Sequence, residues 1–210
     1  MRRYLVAPIT AALVACAIAM PTLASNTQTD KALLSEDFTQ FDQHLDSGWR
    51  LVTFQRKYLE AATLMETYQK QNAQTLLPWQ NASLAYHLGI VYSLANERKT
   101  AIYWFRQALA PKLLDNPGYV YAHIAFEAND REGLFQARDK IAKLKPSTTR
   151  TEDIEETDAM IEYFGEPFEA AFGALNCIEH APPNSSMLQD FCKTMMEKYG
   201  SLYQAHQKSK

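Results

Sequence analysis

Five histidines, three cysteines and one dense run of carboxylates are the side chains of this chain that could carry reactivity. His44, His87, His123, His180 and His206 are scattered. None forms a His-Glu-x-x-His pair, and none stands at zinc-ligand spacing from a cysteine. Glu152, Asp153, Glu155, Glu156 and Asp158 lack both the spacing and the glycine of a calcium-binding loop, and they read as the solvated first turn of a helix. Gly-x-Ser-x-Gly, the phosphate-binding loop and Gly-x-Gly-x-x-Gly are all missing, so no nucleophile or nucleotide cradle is nominated. Acidic pairs are too frequent to single out a glycosidase dyad. The expectation is a protein without catalytic residues, metal or cofactor. An enzyme whose residues are dispersed in the sequence stays open as an alternative, with His87, His123 and a neighbouring carboxylate as its nominees.

The cysteines bear on compartment. Arg2 and Arg3 precede an uncharged, largely apolar run from Leu5 to Met20, and Pro21-Thr22-Leu23-Ala24 offers small residues for cleavage after Ala24. Residues 1–24 therefore read as a signal peptide, with 25–30 as a polar leader. A competing reading makes Leu13-Val14-Ala15-Cys16 a lipoprotein box with a lipid anchor at Cys16, in a structural component of an envelope complex. The apolar Ala17-Ile18-Ala19-Met20 that follows argues against it. Cleavage removes 24 of 210 residues to leave 186, and lowers Lys+Arg from 21 to 19 against 24 acids, for a net charge of −5. An acidic chain of that length fits one domain and excludes a nucleic-acid partner. No later stretch is long and apolar enough to span a membrane. Cys177 and Cys192 are left as an even pair, which in an exported (periplasmic or secreted) protein reads as a disulfide.

The rest of the chain reads as helix throughout, with no strand-like alternation. Asp30 caps a helix carrying Leu34, Phe38, Phe41 and Leu45, which Ser47-Gly48 interrupts. Trp49 to Asn72 is either one long helix or a pair broken near Arg56-Lys57, and the pattern does not choose. Pro78 marks a boundary, with Asn81 or Ser83 capping a helix to Ala95, and a second helix runs from Lys99 to Ala110. Tyr119–Ala128 and Glu132–Lys145 form another pair around Asn129-Asp130-Arg131. Pro146 to Arg150 reads as a linker and Thr151 as the next cap. Gly165 separates that helix from one spanning Pro167 to His180, Pro182-Pro183-Asn184 is a stiff turn, and Ser185 to His206 is the last helix. Its methionines, Met187, Met195 and Met196, fall at helical spacing and read as core.

Leu88-Gly89-x-x-Tyr92 and Ala101-x-x-x-Phe105-x-x-Ala108 resemble the central code of a tetratricopeptide repeat, a helix pair of about 34 residues. Gly89 and Ala101 would let the helices approach, with Tyr92 and Phe105 filling the angle between them. Ala85 stands where the repeat usually has a large residue, and Pro111 comes early. Residues 79–111 are the clear repeat and 117–146 a degenerate one, in which Leu134 and Ile141 match Ala101 and Ala108 while Arg138 replaces the aromatic. His87-x-Gly89, Tyr119 to Phe126, Asn129-Asp130, Ala137 to Ala142 and Ile161-x-Tyr163-Phe164-Gly165-Glu166-Pro167-Phe168 also resemble a family of small proteins of this type to which no activity attaches. That likeness spans Trp49 to Cys177.

The resemblance implies an all-α fold for residues 31–210. Antiparallel helix pairs would stack as a short right-handed tetratricopeptide-like solenoid, capped by flanking helices including those of 151–207. It further implies that first helices line a concave groove, placing Ser83, Tyr86, Ile90 and Ser93 there beside Tyr119, His123 and Phe126. Such an aromatic groove suits a protein or peptide partner and an interaction or scaffold role. Packing of the terminal helices into the groove is the competing expectation.

Overall fold

Three successive helix pairs close on the same backbone turn. Arg56, Asn96 and Asn129 each adopt the left-handed conformation, with φ of 60°, 59° and 57°. Around Asn96 the turn is held by Asn96 N–H on the Ser93 carbonyl and Glu97 N–H on the Tyr92 carbonyl, both at 2.9 Å. The same two bonds recur from Asn129 to Phe126 and Asp130 to Ala125, and from Arg56 to Thr53 and Lys57 to Val52. This pattern satisfies carbonyls that the end of a helix leaves without partners. Asparagine tolerates the left-handed region better than most residues, whereas an arginine there is unusual.

The computed structural model describes residues 27–110, 117–179 and 186–209. Among them lie ten α-helices and no strand: α1 (Thr27–Leu34), α2 (Gly48–Phe54), α3 (Tyr58–Gln71), α4 (Pro78–Leu94), α5 (Arg98–Leu109), α6 (Gly118–Glu127), α7 (Arg131–Ala142), α8 (Thr148–Glu162), α9 (Phe168–Ala174) and α10 (Ser186–Ser209). Two short π-helical turns, Thr39–Gln43 and Leu175–Glu179, precede α2 and follow α9. The signal segment, Cys16, Pro111, His180 and the Pro182-Pro183-Asn184 turn lie outside the described residues.

Aligning the pairs on their left-handed residues sets Ala101, Phe105 and Ala108 against Leu134, Arg138 and Ile141, each 33 positions on. The pair before them contributes Ala61, Met65 and Tyr68. Every one of these except Arg138 is buried. Neighbouring helices pack in chain order from α2 to α9. Contacts that depart from that order include α1 with α3, α6 with α8, α4 with α9, and α2 with α10. The last two fold the C-terminal segment back over the first helices of the pairs.

Several sequence boundaries are corrected. The long early helix is α1 plus the first π-helical turn, Asp30 lies within α1, and Leu45 is exposed. The 49–72 stretch is a broken pair. Helix α4 begins at Pro78, where a missing N–H leaves no bond unmade, and the Gln80 side chain accepts from Leu77 N–H at 2.8 Å. Asn81 and Ser83 are therefore interior. Ser147, not Thr151, caps α8, its hydroxyl accepting from Arg150 N–H at 3.1 Å, so most of the expected linker is first-turn helix. The helix expected from Pro167 to His180 is the seven-residue α9 followed by a π-helical turn. In α10, Met195 is buried with Phe191 and Tyr203, while Met196 is exposed.

Candidate functional site

Helices α4 and α6 bring five of the expected groove residues together. Tyr86 lies edge-on to Tyr119 at 4.9 Å, and its hydroxyl is 3.1 Å from Nε2 of His123. His123 is 0% exposed, with its imidazole stacked on Phe105 at 4.9 Å. Phe126 is buried one turn further on, and Ser83 stands at the rim one turn before Tyr86. Ile90 and Ser93 are buried as well. The face is not open. Phe168 of α9 sits 5.3 Å from His123 and 5.8 Å from Phe126, ring to ring, so the terminal segment packs onto this face. Tyr86 and Tyr119 keep partial exposure at its edge.

Glu169, beside Phe168, fixes α9 in place. It is 4% exposed and accepts from Arg56 Nε at 2.9 Å, Tyr58 hydroxyl at 2.5 Å, Lys198 Nζ at 2.6 Å and Tyr199 hydroxyl at 2.9 Å. Burial opposes its charge, but the bonds from Lys198, Tyr58, Arg56 and Tyr199 outweigh it and hold the carboxyl at about 2. The pair with Arg56 also accounts for an arginine in a left-handed turn.

A second buried carboxylate, Asp42, joins the first π-helical turn to α2 and α4. It accepts from His87 Nδ1 at 2.8 Å, Ser83 hydroxyl at 2.8 Å, Trp49 Nε1 at 3.2 Å and Gln43 Nε2 at 2.6 Å. The Arg50 guanidinium lies over the Trp49 ring at 4.2 Å and donates to the Asp42 backbone carbonyl. Burial pushes Asp42 up, but His87, Ser83 and Arg50 together hold it below the usual carboxylate value.

The third carboxylate is Glu156. Its Oε1 lies 3.1 Å from His123 Nε2, the same nitrogen that stands 3.1 Å from the Tyr86 hydroxyl, so phenol and carboxylate converge on one edge of the imidazole. Burial raises Tyr86 well above a phenol's ordinary value, with the charges of Glu156 and Asp153 adding to it. Burial and the same two acids push Tyr119 up to about 12. His123 Nδ1 is buried without a hydrogen-bond partner. Glu156 also lines a cleft between α8 and the end of α9, together with Glu152, Phe172, Leu175 and Asn176.

The solvated-turn reading of the acidic run is thereby corrected. Asp153 is buried, Glu156 bonds His123, and Asp158 pairs with Arg138. These residues follow the first turn because α8 starts at Thr148. Sequence reasoning also missed Asp42 and Glu169. The signal was a single acid inside an apolar run, Phe41-Asp42 and Phe168-Glu169-Ala170-Ala171, where a charge must find partners if the run is buried.

His87 and His123 are not adjacent partners. The Tyr86 ring has each at about the same range, 5.4 Å and 5.5 Å, and each histidine bonds its own carboxylate. His206 lies 3.9 Å from Glu162 on the far side of Tyr163, and His44 is exposed. Ser83 donates to Asp42, the carboxylate that His87 also bonds. Among the described residues no three histidines, cysteines or acids are grouped to hold a metal, and no helix is long and apolar enough to cross a membrane. Cys177 and Cys192 stand at disulfide distance, with Cα atoms 5.3 Å apart.

No family model, curated protein or solved structure matches the chain.

Proposed function

We propose that this is an exported, tetratricopeptide-like interaction module that binds a polypeptide partner and performs no catalysis of its own. The observation that carries the reading is the register shared by α4–α5 and α6–α7. The two pairs have the same left-handed turn, and Ala101 and Ala108 are buried like Leu134 and Ile141 33 residues on, which is how stacked repeats build a continuous core. The signal-like N-terminus and the cysteine pair at bonding distance support export. Because α9 occupies the inner face, partner contact falls to its rim, at Ser83, Tyr86 and Tyr119, and to the neighbouring cleft. Ile90, Ser93, His123 and Phe126 then serve the fold beneath it.

The test is capture of partners from the exported fraction, comparing wild type with Tyr86→Ala/Tyr119→Ala. A partner retained by wild type and lost by the variant is expected. An identical set from both proteins, or no specific partner, would overturn the rim assignment. An enzyme of dispersed residues draws on one observation, that both inner-face histidines bond carboxylates. Those bonds tie helices together, so the binding role is the better supported.

A further inference from the structure

Among the described residues, hydrogen-bond acceptors dominate the polar lining of the cleft between α8 and the end of α9. Its polar lining is Glu152, Glu156 and Asn176. One N–H of the Asn176 amide is held by the Phe172 carbonyl at 2.8 Å, and its side-chain oxygen is left to accept. Among the described residues no lysine or arginine lines the cleft, and Phe172 and Leu175 supply its apolar wall. The π-helical turn after α9 carries Leu175 and Asn176 to this position, an irregularity of the kind that recurs at binding sites.

Glu156 is held from behind. His123, wholly buried and with Nδ1 unpartnered, reaches it at 3.1 Å, and the recess inward from the cleft runs between Glu156, Phe168, Phe172 and Leu175. The tyrosines behind it are shifted upward partly by Glu156 and Asp153, so negative potential extends through this region. An anion is disfavoured there. A cation on a flexible apolar stem fits, with N–H groups for the three acceptors and methylenes for the two apolar side chains.

We propose that this cleft receives a lysine or arginine side chain of the partner segment, with Glu152 and Glu156 holding the cation and Phe172 and Leu175 its stem. The assignment deepens the interaction-module reading and rests on it.

The test is titration of the full-length, 15N-labelled protein with N-acetyl-Leu-Lys-Leu-amide, with its norleucine counterpart and with n-butylamine, followed by amide NMR. The lysyl peptide should shift the signals of residues 152–156 and the Asn176 side-chain amide saturably, and the norleucine peptide should not. Glu152→Gln, at an exposed position, should weaken binding several-fold, and Glu152→Gln/Glu156→Gln at least tenfold. Absence of saturable shifts at the cleft, equal binding of the norleucine peptide, or unchanged affinity in Glu152→Gln would overturn the site. Butylamine binding as tightly as the peptide would overturn the polypeptide assignment. Partner capture by wild type that survives Glu152→Gln, with no cleft shifts, would sink the cleft and keep the module. Cleft shifts without any captured partner would do the reverse.

Discussion

Gly89 on α4 faces the ring of Phe105 on α5 so closely that a β-carbon at position 89 would stand 2.4 Å from two ring carbons. Phe105 is wholly buried and stacks on His123 of the next pair, so the ring cannot retreat. Gly89→Ala gains about 1 kcal/mol of helix propensity. The overpacking it causes costs about 1–3 kcal/mol and should win. Urea unfolding should give a lower midpoint for the variant. An unchanged midpoint would mean that the helices separate without penalty.

The turn residues allow a test of opposite sign. At φ of 59° and 57°, Asn96 and Asn129 sit where glycine is unstrained. Asn96→Gly and Asn129→Gly should leave stability within about 0.5 kcal/mol of wild type, whereas Asn129→Val should lose about 1–2 kcal/mol. Thermal melts of the three variants would check this ordering. A valine variant as stable as the glycine one would contradict the left-handed assignment.

These two relationships were also the most legible in the sequence. Gly89, Ala101 and Phe105 have spacings that require a close helix pair, and asparagine is a recognisable left-handed turn residue, so both central pairs could be read. Arg56 has the same backbone conformation without the signal, because what stabilises it there is Glu169, 113 residues away. No local pattern encodes such a partner. The position of α9 was illegible for a related reason: seven residues of Phe, Glu, Ala and Gly are too short to show an amphipathic face. The repeat register therefore groups Tyr86, Tyr119, His123 and Phe126, but it does not reveal that Phe168 packs on His123 and Phe126.

Glu169 should make the protein acid-sensitive. Its folded value of about 2 lies below the 4.5 of a free glutamate, so its contribution is fully present above pH 4.5 and is lost as pH falls toward 2. A depression of that size on a nearly buried group corresponds to about 3 kcal/mol. Asp42, also held low, adds to loss in the acid range. Unfolding free energies measured from pH 6 to pH 2.5 should fall, and Glu169→Gln should flatten part of that slope while lowering stability at pH 6. A slope identical in wild type and variant would refute the assignment.

Cys177 and Cys192, 15 positions apart, tie the π-helical turn after α9 to α10. Closing a loop of that length restricts the unfolded chain by about 3 kcal/mol in the chain-entropy account. Dithiothreitol should lower the denaturation midpoint accordingly. Thiol labelling of unfolded, unreduced protein should find neither cysteine free, and two labelled residues would remove the bridge and weaken the case for export.

Phe168→Ala probes whether the inner face is a core or a site in waiting. The ring is 4% exposed and touches His123, Phe126 and Phe172, which belong to α6 and to its own helix. Truncating a phenylalanine in such surroundings costs about 3–5 kcal/mol. If α9 is integral to the core, the whole domain should lose stability in one transition, with α4, α6 and α8 destabilised together. Hydrogen exchange distinguishes the alternative: enhanced exchange confined to residues 168–179, with the global midpoint intact, would show that α9 detaches on its own. In that event the buried aromatic cluster would be available to a competing segment. The bonds of Glu169, which draw on the α2–α3 turn, α3 and α10 together, favour the cooperative outcome.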